Sequence, residues 1–315
     1  MDDAVPRCNL CGSASRRPRF TGSDRMSPVA GRFTLFECRV CGLAFLWPLP
    51  PASLLPALYP DMYYSYHQRG TGAQPRISAT GAFVERLRQI LFPRGFRLTP
   101  GDRILDVGCG DGQFLLPFLA AGLECHGIDI NAGAIARAAG AGVYALRGSL
   151  EEAGYPDGFF AVVTAWQVLE HLPAPGAFLA EIRRILRPGG TLVLSVPNDA
   201  SVARRVFGRH WVGYDVPRHC FAFSPATLRQ YLVGAGFRIR SVRYVGGPYS
   251  LLASVGLALH PWLAPEPLAR RLASLTASAT LRLLAFPVAL ALNGLRMGDV
   301  IKVWATAATD AMETK

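Results

Sequence analysis

Lysine is nearly missing from this chain of 315 residues: it stands only at Lys302 and Lys315, so the 33 basic side chains are almost all arginine. Against 22 acids they leave a formal net charge of +11. Such an excess suits an anionic partner, whether RNA, a phosphate-bearing substrate or lipid headgroups. The abundant alanine and glycine beside the arginine fit a general compositional bias equally well. MDDAVPRCNL offers no apolar core of signal-peptide length, so the expectation is a cytoplasmic protein, at most peripheral on the inner membrane surface. No apolar run reaches the roughly 18–20 clean residues of a membrane span. The two longest candidates, PYSLLASVGLALHPWLAP and LLAFPVALALNGL, both contain proline. The seven cysteines are an odd number and four sit in C-x-x-C units, which excludes a disulfide framework and points to metal chemistry in a reducing compartment. A hydrophobic content of 50% supports a large core, and the length accommodates one α/β domain with a smaller module and an insertion.

The paired cysteines form two copies of one knuckle, CNLCG at residues 8–12 and CRVCG at residues 38–42. Each places two thiolates on one tight turn, with glycine just past the second. The intervening segment is long enough to fold back as a short hairpin and bring four sulfurs together. Four thiolates around zinc make a closed, structural site with no open position for chemistry. A redox role would need a C-x-x-C opening a helix in a thioredoxin-like unit, and that context is missing. The expectation is therefore one structural zinc on Cys8, Cys11, Cys38 and Cys41, none of them catalytic. The module, residues 1–48, is too small for much apolar core, so metal binding supplies its folding energy.

RILDVGCGDGQFL, residues 103–115, reads as a buried strand, a glycine turn and the start of a helix. Gly108, Gly110 and Gly112 permit a sharp turn and close backbone approach to a ligand. A second strand, CHGIDI, ends in Asp129, about 20 residues on, where an acid can grip ribose hydroxyls. Then come FFAVVTAWQVLEHL, a helix ending in RPGG, and the strand TLVLSVPN. Over roughly residues 96–245 these segments resemble the class I S-adenosylmethionine-dependent methyltransferases, in the group marked by D-x-G-C-G-x-G, "LEH" and "L-x-PGG". A nicotinamide dehydrogenase would carry G-x-G-x-x-G/A instead. The resemblance implies a Rossmann-like, doubly wound α/β sheet of seven strands with the last antiparallel.

It also implies cofactor roles. Gly108 and Gly110 approach the amino-acid and ribose portions, Asp106 holds the ammonium, and Asp129 accepts from the ribose hydroxyls. Ser149 and Leu150 occupy the adenine position, where relatives usually carry Asp in place of Ser149. Gln167, after the fourth strand, is counted among the cofactor-binding positions. With Glu170 and His171 it also stands at i, i+3, i+4, a spacing that puts all three on one helical face. These three align with the Glu-x-x-Glu-His stretch of the polyprenyl catechol O-methyltransferases, where the residues look like a divalent-metal site. Gln167 in place of the first acid speaks against magnesium, and a structural role for Glu170 and His171 is favoured.

Strands are expected near 103–107, 124–129, 143–147, 159–164, 191–196, 237–245 and 299–308, and helices near 113–121, 132–139 and 174–187. Residues 49–95 form a linker in which Tyr59, Tyr63, Tyr64 and Tyr66 make either a lid or, as favoured here, an aromatic hinge, followed by a packing helix at 81–92. The core runs over 96–247, a hydrophobic helical insertion over 248–297, and the last strand and tail over 298–315. Two placements of the insertion stay open. It is buried on the core or in a homodimer, the favoured form, or it lies on a membrane surface with Arg270, Arg271 and Arg282 near headgroups.

RHWVGYDVPRHCFAFSPATLRQYLVGAGF resembles the segment before the sixth strand in bacterial glycan and secondary-metabolite methyltransferases. His219 is the candidate base, since a neutral imidazole suits hydroxyl deprotonation near neutral pH, with His171 and His210 next. A histidine that only ties this loop to the core is the competing reading. The expected reaction is O-methylation of a small molecule: a sugar, lipid-linked glycan or secondary metabolite. A zinc-ribbon RNA base methyltransferase is the alternative. Arg16, Arg17 and Arg19 are a start for it, but no array of aromatic and basic residues accompanies them. A non-catalytic scaffold is a third class, against which Gly108, Gly110 and Asp129 speak.

Overall fold

A computed structural model describes residues 7–25, 29–51, 54–59, 98–259 and 274–308. The expected lid tyrosines 63, 64 and 66 and the helix at 81–92 lie outside the described residues.

Two sheets organise these residues. The larger is built from seven strands: β4 (Arg103–Val107), β5 (Glu124–Asp129), β6 (Tyr144–Arg147), β7 (Phe160–Trp166), β8 (Leu186–Pro197), β10 (Phe237–Val245) and β11 (Val300–Ala307). Their order across the sheet is β10-β11-β8-β7-β4-β5-β6. Strands β4 to β8 pair in parallel, and β11 inserts antiparallel between β8 and β10. This is the expected doubly wound architecture, with all seven strands near their expected positions. Its central strands read as continuous apolar runs because both faces are covered: Ile104, Leu105, Val162, Val163, Leu192, Val193 and Leu194 have no exposed surface. β8 begins earlier than expected, since Leu186 already pairs with Phe160, and the RPGG segment forms an irregularity within the strand before pairing resumes at Thr191, instead of ending the preceding helix.

Most of the helices pack on this sheet. The chain first makes one helical turn, α1 (Leu55–Leu58), then α2 (Leu116–Ala120), α3 (Ala132–Gly140), α4 (Pro175–Ile185), α5 (Val202–Phe207) and α6 (Pro225–Gly234). Asn131 caps α3 by accepting from the Ala134 N–H at 2.8 Å. Ser224 caps α6, with Pro225 following it and Thr227 completing a reciprocal capping box. α4 buries Phe178, Leu179, Ile182 and Ile185, an i, i+1, i+4, i+7 stripe.

The smaller sheet is antiparallel. β1 (Arg16–Gly22) and β2 (Phe33–Cys38) form the hairpin between the cysteine knuckles, and β3 (Ala44–Trp47) follows. Its fourth strand, β9 (Phe221–Ala222), comes from the loop after β8 and pairs with Ala44 and Phe45, giving the order β1-β2-β3-β9. Leu43 and Phe45 accordingly share a core with Phe223, Leu228 and Leu232. Ions reinforce the seam. Arg19 reaches both carboxylate oxygens of Asp199 at 2.7 Å and also Glu37. Arg218, fully buried, bonds Asp24, Asp215 and the Leu58 carbonyl.

Among the described residues of the insertion, two long helices, α7 (Pro248–Leu259) and α8 (Ala279–Gly294), pack on each other. Burial on the core, the favoured expectation, does not describe α8. Ala289 is its one buried position, while Leu283, Leu284, Phe286, Val288 and Leu290 face outward. α8 packs mainly on α7 and touches β10, the edge strand of the larger sheet.

Candidate active site

The sheet order reverses between β4 and β7, and ligands in such sheets sit at the carboxyl ends of the strands flanking that point. β4 delivers Asp106 there. Its carboxylate is buried and accepts the Thr164 hydroxyl of β7 at 2.6 Å. Burial pushes this carboxyl up to about 7 against the pull of Thr164, with the charge of Asp129 adding to the rise.

The glycine turn follows, with φ of 74° at Gly108 and 55° at Gly110. A Cβ on Gly108 would meet Val168 Cγ2 at 2.7 Å, whereas one on Gly110 would meet nothing within 4 Å. The turn is therefore clamped on one side and open at Gly110. Asp129, at the end of β5, holds it in place. One carboxylate oxygen accepts the Gly110 N–H at 2.9 Å and the other the Asn131 N–H at 2.8 Å. Burial raises its pKa and these amides oppose the rise. Ser149 and Leu150 follow β6. Ser149 makes a reciprocal bond pair with Glu152, and the Leu150 side chain lies in the core, so only its backbone is available to a ligand.

Gln167, Glu170 and His171 do not share a helical face. Residues 169–171 make a single 3-10 turn, and Gln167 precedes it in the left-handed region with φ 56°. Its N–H bonds the Ser195 carbonyl at 2.9 Å and its amide nitrogen the Ser195 hydroxyl at 3.1 Å. These two bonds to β8 turn the backbone out of any helix and aim Gln167 away from Glu170.

His219 takes the place Gln167 was expected to fill. Glu170, His171 and His219 each bring a ligand-capable atom within 4.8 Å of the others. The His171 and His219 rings meet edge to face at 4.6 Å. Their approach is enforced by backbone: the Cys220 N–H donates to the Glu170 carbonyl at 2.7 Å. His219 Nδ1 lies 2.8 Å from the Gly213 carbonyl, which can only accept, so Nδ1 carries the proton and Nε2 keeps its lone pair. Burial lowers the pKa of His219, opposed by Asp215. His171 is lowered further by burial and by His219. Its Nδ1 meets the Tyr59 hydroxyl at 2.7 Å, and its ring also bonds the Arg218 backbone. Both Glu170 carboxyl oxygens are buried without a hydrogen-bond partner, and burial raises its pKa to about 8.

A family model described as a methyltransferase domain matches residues 77–242. The chain belongs to the class I S-adenosylmethionine-dependent methyltransferases. Among known relatives, this methyltransferase is 33% identical over 147 residues to a ubiquinone biosynthesis O-methyltransferase of Bradyrhizobium sp. (strain ORS 278), covering 42% of this chain and 57% of that one. It is 31% identical over 168 residues to the protein of the same name from Aromatoleum aromaticum, covering 49% and 71%. The alignment to the first of these thus spans less than two thirds of that relative's length. Among solved structures, the (4+2)-cyclase SpnF superimposes with a TM-score of 0.51 at 22% identity, over 83% of this chain and 98% of that one, a likeness of fold.

The four knuckle cysteines of the methyltransferase also converge. Cys8 and Cys41 sulfurs lie 3.4 Å apart, Cys11 and Cys38 sulfurs 3.5 Å, and all four within 4.8 Å of one another. A tetrahedron of thiolates at about 2.3 Å from zinc has edges of about 3.8 Å, so the set fits one such ion. Sequence reasoning missed Asp199 and Arg218, and it offered Arg19 for an RNA contact although its guanidinium is held by Glu37 and Asp199. Beside nearer partners, Arg19 and Asp199 meet across 180 residues, and Arg218 reaches Leu58 and Asp24 across 160 and 194.

Proposed function

We propose that this methyltransferase methylates an acidic hydroxyl, of phenol type, on a largely apolar acceptor, with His219 as the general base. The observation that carries this reading is the His219 tautomer: Nδ1 is committed to the Gly213 carbonyl, and burial keeps Nε2 unprotonated at neutral pH. A base with a lowered pKa is poorly matched to a sugar alcohol but well matched to a hydroxyl near pKa 10. The relatives' name points the same way, toward ubiquinone biosynthesis, and lends no support to the expected sugar or glycan. The Glu170 carboxyl is the acidic group beside the imidazolium that forms when His219 takes the acceptor proton.

When bound, S-adenosylmethionine supplies a methyl group on an electrophilic sulfonium. Asp129 retains free lone pairs for the ribose hydroxyls, the open side of Gly110 admits the ligand backbone, and Ser149 and Leu150 flank the adenine. Asp106 faces the ammonium as a charge. Its carboxyl is neutral below about pH 7 and ionised above it. Affinity for S-adenosylhomocysteine, which carries the same ammonium, should therefore rise between pH 6 and pH 8 and then level off. Titration calorimetry on Asp106→Asn should show weaker binding with that dependence gone; an unchanged pH profile places the ammonium elsewhere.

Cys8, Cys11, Cys38 and Cys41 hold one structural zinc, which stiffens the hairpin that carries Arg19 against Asp199. Elemental analysis should find one zinc per chain, lost in the Cys38→Ser and Cys41→Ser double variant together with several degrees of melting temperature. Full stability and activity in that variant would refute the site. The acceptor assignment is tested by incubating the protein with labelled S-adenosylmethionine and, in parallel, prenylated or plain catechols, glycosides and ribosomal RNA. Label in the catechols supports it; label confined to glycosides or RNA overturns it.

A further inference from the structure

We propose that the α7–α8 hairpin seats the methyltransferase on an anionic lipid surface, with α8 lying in the headgroup plane. No helix among the described residues is long and apolar enough to cross a membrane. Yet α8 presents to the outside a face that water tolerates badly. Leu283, Phe286 and Leu290 stand at i, i+3, i+7 with 74, 55 and 61% of their surface exposed, and Leu284, Val288 and Leu295 flank them. A surface helix with an apolar outer face can sink that face a few ångströms into a bilayer while basic residues around it meet the phosphates.

The charges around the hairpin choose the occupant. The sequence has no acid from residue 274 to residue 298, where Arg282 and Arg296 are both exposed. α5 packs on α7 and adds the exposed Arg205 and Val206, and the turn after it adds Arg209. Among the described residues Asp299 is buried against Ser250 and Ser201, and Asp199 and Asp215 are paired with Arg19, Arg204 and Arg218. A second copy of this chain would bring the same arginines to the same face, so like charges would oppose a dimer there. Anionic headgroups complement both the charge and the apolar stripe.

The seat also lies beside the reacting end of the site. The Ser254 hydroxyl of α7 accepts the Val212 N–H at 3.1 Å, and the next residue, Gly213, carries the carbonyl that sets the His219 tautomer. Docking would place that loop at the surface from which an apolar acceptor arrives. The lipid contact itself is independent of the acceptor, because vesicle binding is read without turnover.

The test is flotation of the full-length protein with phosphatidylcholine vesicles containing or lacking phosphatidylglycerol. The wild type should float with the anionic vesicles, less so at high salt. The double variant Leu284→Glu with Phe286→Glu should lose at least about tenfold in vesicle affinity, since two apolar side chains leave the interface. Its affinity for S-adenosylhomocysteine should stay unchanged, because both residues are exposed on α8. Arg205→Gln with Arg282→Gln should weaken binding only to the anionic vesicles. Wild-type protein that stays unbound on anionic vesicles overturns the proposal. So does a solution dimer that the glutamate variant converts to monomer, with no vesicle binding by either form.

Discussion

Replacing His219 by alanine is expected to lower kcat by about 10²–10⁴-fold, the usual contribution of a general base. Donor affinity should change by less than about threefold, since His219 belongs to the loop before β9 and not to the glycine turn. Alanine also leaves the Gly213 carbonyl without its donor and opens a gap beside the His171 ring. His219→Asn therefore serves as the companion variant, because its amide can still donate to Gly213 while offering no base. Both variants should lose turnover alike. The pH profile separates a base from an anchor. Burial depresses the His219 pKa below its ordinary 6.5, so the wild-type rate should hold steady down to that pH and fall only below it, as Nε2 becomes protonated. The variants should lack that limb. A loss under about threefold in both, with the profile kept, would reduce His219 to a tie between the loop and the core.

Asp129→Ala should weaken S-adenosylhomocysteine binding about ten- to a hundredfold, or about 1.5–3 kcal/mol, because two ribose hydroxyls lose a charged acceptor. A second effect follows from the geometry. The same carboxylate accepts the Gly110 and Asn131 N–H groups, and alanine leaves both without that partner in a largely buried place. The glycine turn should loosen and the melting temperature of the ligand-free protein should fall as well. Asp129→Asn keeps one oxygen and should fall between wild type and alanine in both measurements. Calorimetry and thermal unfolding on the three proteins decide the matter, and unchanged affinity in a folded alanine variant would place the ribose elsewhere.

The features legible in the amino-acid sequence are those whose physics is local. A parallel strand covered on both faces must be apolar throughout, so β4, β5, β7 and the later half of β8 announce themselves as short runs such as ILDV and TLVLSV, punctuated by turn glycines. Asp106, Gly108, Gly110 and Asp129 come with those runs, at strand ends that the topology gathers on one edge. The two C-x-x-C-G units likewise announce by spacing alone that their four sulfurs come together. Gln167 shows where local reasoning fails: its spacing to Glu170 and His171 is helical, yet two bonds to Ser195 on a neighbouring strand override it.

What only the tertiary structure decided depends on contacts between distant segments. Two residues of β9 complete the cysteine-bearing sheet, and so short a strand has no periodicity to read. Arg19 finds Asp199, and Arg218 finds Asp24, across 180 and 194 residues, and an arginine's sequence neighbours do not reveal whether it will be paired and buried. The meeting of His171 with His219 rests on one backbone bond between Cys220 and Glu170, available only once both loops are folded over the sheet. The outward face of α8 is a decision of the same kind. Apolar composition says that a helix seeks cover, but whether the core supplies it depends on which surfaces the rest of the chain leaves for it, and here α8 packs on α7 and touches β10 while its other side faces outward.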